Sequence, residues 1–188
     1  MKSLSLIKPH MIIMVGLPGS GKSFFAEKFA ETFNAPYVSQ QRIGELTKEN
    51  IDLLAQLQLS ELLKTNQSVI FEGAAHTRAE RLALAKKARQ SGYEPLIIWV
   101  QVDSAAAKDR STASKGASID AAEYERISKR FTPPSSAEKP LVISGKHTYA
   151  SQARVVLKKL SSPRAEISAN TATPTRDVQP TRRNITIR

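Results

Sequence analysis

Short apolar runs and helical repeats of apolar residues alternate along this chain. The runs have the length of strands and occupy residues 11–15, 37–38, 68–71, 96–102 and 141–144. Between them, apolar side chains recur every three or four residues, which is typical of helices that bury one face. Strands that alternate with helices in this way predict right-handed crossovers and a parallel sheet covered on both faces. The pattern therefore predicts an α/β fold.

The helices between these strands are placed by their apolar spacing and their end signals. Predicted starts are Lys22, Thr47, Thr77, Asp103 or Ser104, Asp120 and Thr148. The start at Thr77 is supported by Glu80, with which it matches a capping box. The helix from Thr47 carries leucines, among them Leu54 and Leu57, that we expect in the core. Residues 42–44, just after the second strand, are expected to lead into a polar turn.

The first strand is followed by the octapeptide GLPGSGKS, residues 16–23. Its glycines let the backbone curl so that N–H groups point at phosphate oxygens, and the following helix adds the positive end of its dipole. Lys22 can reach the β and γ phosphates, and the Ser23 hydroxyl can ligate magnesium. An ordinary strand-to-helix turn is the alternative, but the flanking strand and helix favour a nucleoside triphosphate site. The residues predicted to hold ATP here are Gly16, Leu17, Pro18, Gly19, Ser20, Gly21, Lys22 and Ser23.

Composition narrows the class of protein further. The chain has 188 residues, 40% of them hydrophobic and none of them cysteine, which excludes disulfides and thiolate metal sites. Its apolar segments are too short or too interrupted for a secretory signal or a membrane span, so we expect a cytoplasmic protein without a membrane partner. The formal charge of +11 favours polyanionic partners such as nucleic acid, although a basic surface without such a partner is an equal alternative.

A change of composition divides the chain in two. Residues 1–160 are predicted to form one ATP-binding domain with a sizeable core. Within it, residues 104–131 are predicted to form a helical lid, since the Ser-, Thr-, Ala- and Gly-rich segment 111–118 has the composition of a mobile loop. Residues 161–188 contain few large apolar side chains and are predicted to form a basic, disordered tail.

An acidic residue, Glu72, ends the third predicted strand. The carboxyl ends of parallel strands surround the ligand in such folds, so Glu72 is predicted to orient magnesium or the nucleophile. The alternative is a carboxylate that makes a structural hydrogen bond near the glycine-rich loop. No N-K-x-D sequence follows the fourth strand, which favours ATP over GTP.

Three segments together carry a family resemblance: MIIMVGLPGSGKS, VIFEGAAHTRAER and KDRSTASKGASIDAAEYERISKRF. The chain resembles the P-loop kinases of the polynucleotide-kinase-like and zeta-toxin-like group, often described as AAA-domain ATP-binding proteins, over residues 11–160. The resemblance implies a P-loop NTPase three-layer sandwich whose five-stranded parallel sheet has the order 2-3-1-4-5, with a helical lid between the fourth and fifth strands. It also implies that Arg110 contacts ATP phosphates, with Lys115 as a second lid cation; a solvated helix residue is the alternative for Arg110.

The loop after the second strand departs from this family pattern. Such kinases usually carry an aspartate there as the proton acceptor, whereas this chain has Ser39, Gln40, Gln41 and Arg42. A glutamine cannot act as a general base at neutral pH, but it can hold a hydroxyl group by hydrogen bonds. Gln41 and Arg42 are therefore predicted to contact the substrate.

Two functional hypotheses remain. In the first, the chain is an ATP- and Mg²⁺-dependent phosphotransferase acting on a hydroxyl of a nucleic-acid end, a nucleotide or a small molecule, with Lys22, Glu72 and Arg110 as catalytic residues and Ser23 and Glu72 at the metal. In the second, it is a catalytically weakened ATP-binding module whose basic surface and tail bind a polyanionic or protein partner. A toxin-like kinase of nucleotide sugars follows from the resemblance alone.

Overall fold

The computed structural model describes residues 8–112 and 119–161. The strands in these ranges are β1 His10–Val15, β2 Tyr37–Ser39, β3 Val69–Glu72, β4 Glu94–Gln101 and β5 Leu141–Ser144. They form one sheet in the order β2-β3-β1-β4-β5, and every neighbouring pair is parallel. The predicted five-stranded sheet and its strand order are confirmed.

Seven α-helices connect and flank these strands in the described ranges. They are α1 Lys22–Phe33, α2 Gln40–Leu46, α3 Ile51–Leu62, α4 Arg78–Gln90, α5 Ser104–Thr112, α6 Ala121–Arg130 and α7 Tyr149–Ser161, with a short 3-10 helix at Ser136–Glu138. The two helices predicted for the lid, α5 and α6, lie between β4 and β5. Residues 113–118, which include Lys115, and the tail beyond Ser161 lie outside the described residues.

The core consists of two apolar layers, one on each face of the sheet. Side chains alternate between the faces along a strand, so Ile13 of β1 belongs to one layer and Ile12 to the other. Buried residues of α3 and α4, including Leu59 and Leu84, pack in the layer of Ile13. Buried residues of α1 and α7, including Phe29, pack in the layer of Ile12. Burial on both faces explains why the strands are continuously apolar.

The segment after β2, in which residues 42–44 are expected to lead into a polar turn, is more regular than that prediction. It is helical from Gln40 to Leu46. The Ser39 hydroxyl accepts a hydrogen bond of 3.4 Å from the backbone N–H of Arg42, which caps the first turn. This helix places the side chains after Ser39 on different faces, and that arrangement matters for the site.

The prediction that Leu54 and Leu57 belong to the core is wrong. Both side chains are exposed, at 40% and 53% of their surface. Ala55 and Leu59, four residues apart, form the stripe of α3 that faces the sheet. Leu54 and Leu57 fall beside that stripe, because a helix this rich in leucine has more apolar positions than one packed face can bury.

Within residues 8–112 and 119–161, every helix is too short or too polar to span a membrane.

Candidate functional site

The glycine-rich loop connects the end of β1 to the start of α1. Gly19 and Gly21 have φ angles of +74° and +98°, which L-residues with side chains rarely adopt. The backbone N–H of Ser20 donates to Leu17 O at 3.1 Å, and that of Phe25 donates to Gly21 O at 3.1 Å. The loop therefore curls back on itself and leads directly into the N-terminus of α1.

Two other elements pack tightly against this loop. A Cβ atom built on Gly19 would lie 2.1 Å from the carbonyl oxygen of Ala107 in α5. A Cβ built on Gly145, just after β5, would lie 2.1 Å from Ser20 O. The loop is thus held between α5 and the β5–α7 connection, and only glycine fits at either contact.

Lys22 folds over the loop that precedes it. Its Nζ donates a hydrogen bond of 3.0 Å to Leu17 O. Burial lowers the pKa of Lys22, and the negative charge of Glu72 acts in the opposite direction. The ammonium group therefore lies at the loop, within the electrostatic reach of the carboxylate at the end of β3.

Glu72 is fixed through both of its carboxylate oxygens. Ser23 Oγ donates to Glu72 Oε1 at 2.8 Å, and the Tyr37 hydroxyl donates to Glu72 Oε2. The whole residue is buried, with only 7% of its surface exposed. It lies here because β3 pairs with both β1 and β2, which places Glu72 opposite Met14 and Ser39. The structure thus brings the predicted residues Lys22, Ser23 and Glu72 together.

Tyr37 has a role that the sequence does not predict. Burial raises its pKa well above the ordinary value, and the charge of Glu72 and the hydrogen bond to it add to the effect. The guanidinium group of Arg42 lies over the phenol ring, with its Cζ 5.3 Å from the ring centroid. Arg42 Nη2 also pairs with Glu27 Oε1 at 3.2 Å. The only sequence signal for Tyr37 is its place on the strand next to β3.

The side chains that follow β2 point in different directions. Gln40 lies against Gly73: a Cβ built on that glycine would be 2.5 Å from Gln40 Oε1. Gln40 Nε2 donates to Asp52 Oδ1, in the first turn of α3, at 2.8 Å. Gln41 is exposed. The assignment of Gln41 and Arg42 to the substrate stays a prediction, and it is Gln40 that reaches the residue next to Glu72.

Arg110 lies on α5, the helix that packs against Gly19. Its Nη1 donates a long hydrogen bond of 3.4 Å to Gly145 O, in the connection that also contacts the loop. Arg110 is exposed and therefore accessible to a ligand beside this connection. Its predicted contact with ATP phosphates stays a prediction, as does the role of Lys115, which lies outside the described residues.

A buried arginine on α4 joins the loop after Glu72 to the segment that follows α6. Arg81 is fully buried, and its Nε and Nη2 donate to the two carboxylate oxygens of Glu138 at 2.7 and 3.1 Å. Its Nη1 donates to the carbonyl oxygens of Ala75, His76 and Thr132 at 3.2, 3.3 and 2.8 Å. One side chain therefore holds the β3–α4 loop, the segment after α6 and the 3-10 helix together.

The side chain of His76 lies in the same β3–α4 loop. Burial lowers its pKa, and the positive charge of Lys22 lowers it further. Glu80 opposes this effect, while Arg130 and Arg126 of α6 add to it. This loop is therefore electrostatically coupled both to the lysine of the glycine-rich loop and to α6.

The oxygen ligands at this site, Ser23 and Glu72, fit a metal ion that is bound together with a nucleotide. They do not form a metal site made of protein ligands alone. Within residues 8–112 and 119–161, no cluster of three or more His, Asp or Glu residues could hold a metal ion. Ser23 and Glu72 supply two oxygen ligands at most, and Mg²⁺ at such sites completes its shell with phosphate oxygens and water. The glycine-rich loop beside them supplies the backbone curvature that phosphate binding requires.

The sheet order, the loop and the lysine at the start of α1 define a P-loop nucleotide-binding protein with a kinase-like fold. Residues 11–134 match the family model described as AAA domain, and the chain belongs to that family. The narrower resemblance to polynucleotide-kinase-like and zeta-toxin-like kinases stays a prediction. Among curated proteins there is no significant match.

Solved structures with the same fold include several kinases. A gluconokinase from Sinorhizobium meliloti 1021 is 18% identical, with 81% of this chain and 91% of that chain covered and a TM-score of 0.61. A sugar kinase from Janibacter sp. HTCC2649 is 14% identical, with coverages of 82% and 96% and a TM-score of 0.57. Chaetomium thermophilum Kti12 in complex with ADP-AlF3 is 14% identical, with coverages of 81% and 100% and a TM-score of 0.62. Identities this low establish the likeness of fold alone.

Proposed function

We propose that this protein is an ATP-dependent phosphotransferase that moves the γ-phosphate of ATP to a hydroxyl group. The observation that carries the proposal is the hydrogen bond of 2.8 Å between Ser23 Oγ and Glu72 Oε1, next to Lys22. A hydroxyl and a carboxylate held together beside a glycine-rich loop are the protein ligands that Mg²⁺ of a bound nucleotide requires.

Each predicted residue has a role in this proposal. The backbone N–H groups of residues 16–23 and the charge of Lys22 hold the phosphates of ATP. Ser23 and Glu72 hold Mg²⁺, which when bound neutralises charge on the phosphate oxygens. Arg110, on the helix beside the loop, offers a planar guanidinium to the same phosphates, and Lys115 is its predicted companion. Tyr37 orients Glu72 without contacting the nucleotide.

The phosphoryl acceptor is a compound with a free hydroxyl group. The fold is shared with a gluconokinase and a sugar kinase, which supports small polyhydroxyl compounds. The formal charge of +11 supports nucleotides or nucleic-acid ends, because a basic surface attracts them. The absence of cysteine from the sequence supports a reducing compartment such as the cytoplasm.

A second candidate function is a nucleotide-binding regulatory module with little or no transfer activity. The observation in its favour is that both oxygens of Glu72 accept hydrogen bonds. In addition, Ser39, Gln40, Gln41 and Arg42 stand where a proton-accepting aspartate is expected. In this case ATP orders the lid, and the basic surface and tail bind a polyanionic or protein partner.

Transfer of labelled γ-phosphate from ATP to RNA, DNA, nucleosides and small hydroxyl compounds tests the two candidates. For a phosphotransferase we expect a labelled product whose formation requires Mg²⁺ and disappears in Lys22→Ala. Tight ATP binding without any labelled product, together with ATP-dependent capture of a partner, would establish the regulatory module instead. Labelled product formed equally by the Lys22→Ala variant would exclude this site as its source.

A further inference from the structure

A row of positive charges runs along the exposed side of α4. Arg78, Lys86 and Arg89 are all exposed, and Leu82, which is 49% exposed, lies between the first two. Steps of three or four residues separate these positions, so they share one side of the helix. At a rise of about 1.5 Å per residue, the row is about 16 Å long. These four residues are called the α4 ridge below.

The positive charges of the ridge are not neutralised by the protein. In the ranges that the structure describes, the side chains of Arg78, Lys86 and Arg89 make neither an ion pair nor a hydrogen bond. The only acid of α4 is Glu80, which pairs with Arg130 of α6 instead. Surface cations on other helices have acid partners, as in the pairs Arg42–Glu27, Lys108–Glu125 and Arg126–Glu123. Because like charges on one side of a helix repel one another, the ridge suits a polyanion that lies along it.

The shape of the ridge favours the backbone of a nucleic-acid duplex over other polyanions. Ala79 and Ala83 are exposed beside the ridge, and side chains this small let a partner approach the helix closely. No residue of α4 is aromatic, whereas single strands are held largely by bases that stack on aromatic rings. Leu82 alone offers too little apolar surface for insertion into a membrane interface. The ridge therefore offers contacts to phosphates and none that read bases.

We propose that the α4 ridge binds the phosphate backbone of a double-stranded nucleic acid without sequence specificity. The ridge begins at Arg78, six residues after Glu72, and leads along α4 away from the nucleotide site. The inference goes beyond the proposed function, because binding along the ridge requires neither ATP nor phosphoryl transfer. RNA and DNA duplexes share this backbone chemistry, and their affinities distinguish the two.

Fluorescence anisotropy of labelled RNA and DNA duplexes measures this binding. The ridge variant combines Arg78→Gln, Lys86→Gln and Arg89→Gln, all at exposed positions, and circular dichroism checks that it folds. It should bind a duplex more weakly at low salt, by about 10²-fold. The slope of log K against log salt should become shallower by about 2–3, because each phosphate contact contributes about 0.9 to that slope on duplex DNA.

A matched control is offered by α7, which packs on the opposite face of the sheet from α4. The control variant removes the same charge from three exposed cations of that helix, through Arg154→Gln, Lys158→Gln and Lys159→Gln. Lys158 already interacts with another group of the protein, unlike the cations of the ridge. The α7 variant should keep nearly the affinity and the salt slope of the wild type.

The outcomes separate the ridge from net charge and from the proposed function. Equal losses of affinity in the two triple variants, or a wild type that binds neither duplex, would overturn the ridge as a site. Tighter binding of a single strand, or of vesicles that contain phosphatidylserine, would overturn the duplex as the partner. A preference for one of the two duplexes would support the proposal and identify the nucleic acid. A wild type that binds duplexes through the ridge but phosphorylates no acceptor would overturn the proposed function and leave this inference intact.

Discussion

Ser23 Oγ donates a 2.8 Å hydrogen bond to Glu72 Oε1, which joins the first turn of α1 to the last residue of β3. The two residues are 49 positions apart in the chain. They meet because β1 and β3 are parallel neighbours, with Met14 opposite Glu72, so that both strands end at the same edge of the sheet. Any ion bound by the Ser23 hydroxyl is therefore also within reach of a carboxylate.

Glu72→Gln should impair the use of Mg²⁺ more than the binding of nucleotide. The amide keeps the volume but loses the charge, so we expect the Mg²⁺ concentration for half-maximal transfer to rise. The rate at saturating ATP should fall by about 10²–10³-fold, the usual cost of removing one electrostatic group from such a site. Glu45→Gln, an exposed change on α2, is the matched control. An unchanged Mg²⁺ dependence in Glu72→Gln would show that the carboxylate is structural.

Tyr37→Phe should affect stability in a way that depends on pH. Loss of the bond to Glu72 should lower the free energy of unfolding by about 1–3 kcal/mol, as for a hydrogen bond to a charged group. The pKa of Tyr37 is raised above its ordinary value of 10.0. Above that pH the unfolded chain loses the phenolic proton before the folded chain does, so stability should fall.

The measurement for Tyr37 is denaturant unfolding below and above pH 10.0, the ordinary pKa of the phenol. The wild type should show an alkaline loss of stability that is smaller in Tyr37→Phe, because the variant lacks the phenol. Spectroscopic titration of phenolate absorbance should lose its most resistant component in the same variant. Identical alkaline slopes for the two proteins would contradict the proposed coupling to Glu72.

Local signals predicted the part of the site that lies close together in the chain. The loop glycines, Lys22 and Ser23 form one octapeptide, and Glu72 ends an apolar run, so each can be recognised from its neighbours. The partners of Glu72 and of Asp52 depend on strand pairing and on the start of α2, which no local pattern displays. Gln40 looks like Gln41 in the sequence, and only the turn of the helix decides which one faces Gly73.

Gly19→Ala and Gly21→Ala should separate backbone strain from packing. Both glycines have positive φ angles, so alanine should cost about 1–2 kcal/mol at each. A Cβ at position 19 would also lie 2.1 Å from Ala107 O, whereas one at position 21 meets nothing within 4 Å. We therefore expect Gly19→Ala to lower the free energy of unfolding by about 1–3 kcal/mol more than Gly21→Ala does, because overpacking costs this much.

Unfolding in denaturant without nucleotide measures this difference. It excludes any contribution from phosphate contacts, which both variants would also disturb. If the free energy of unfolding falls equally in the two variants, α5 can move away from the loop without loss of stability. The tight contact between α5 and Gly19 would then not contribute to stability.

ATP binding should raise the pKa of His76. In the free protein this pKa is lowered by burial first and by the charge of Lys22 next. Phosphates bound at Lys22 place negative charge in the same region and favour the protonated ring. NMR titration of the histidine ring protons with and without ATP measures the change, and His76→Asn identifies the signal.

His10 provides an internal control in the same spectra. Burial lowers its pKa too, but it begins β1 and lies at the opposite end of that strand from the glycine-rich loop. Its pKa should not respond to ATP. Equal responses of His10 and His76 would indicate a general change of the protein rather than charge placed at Lys22.

The ion pair of Arg81 and Glu138 should be among the most costly to break. The two side chains are 0% and 3% exposed, so Arg81→Met leaves a carboxylate buried without its partner. We expect the free energy of unfolding to fall by about 3–5 kcal/mol. The double variant Arg81→Met with Glu138→Leu should recover part of this loss, since no unpaired charge remains. The exposed pair Arg126–Glu123 is the reference, and breaking it should cost far less, because water screens charges at the surface.

The same pair should also shape the acid stability of the protein. The hydrogen bond from Arg81 holds the pKa of Glu138 below its ordinary value of 4.5. Below pH 4.5 the unfolded chain binds a proton at this residue before the folded chain does, so the stabilisation is present above that pH and is lost as the pH falls through the folded pKa. Glu138→Gln should therefore have a lower stability at neutral pH and a shallower acid slope. A steep acid slope retained in Glu138→Gln would assign the acid sensitivity to other carboxylates and leave Arg81 as a packing residue only.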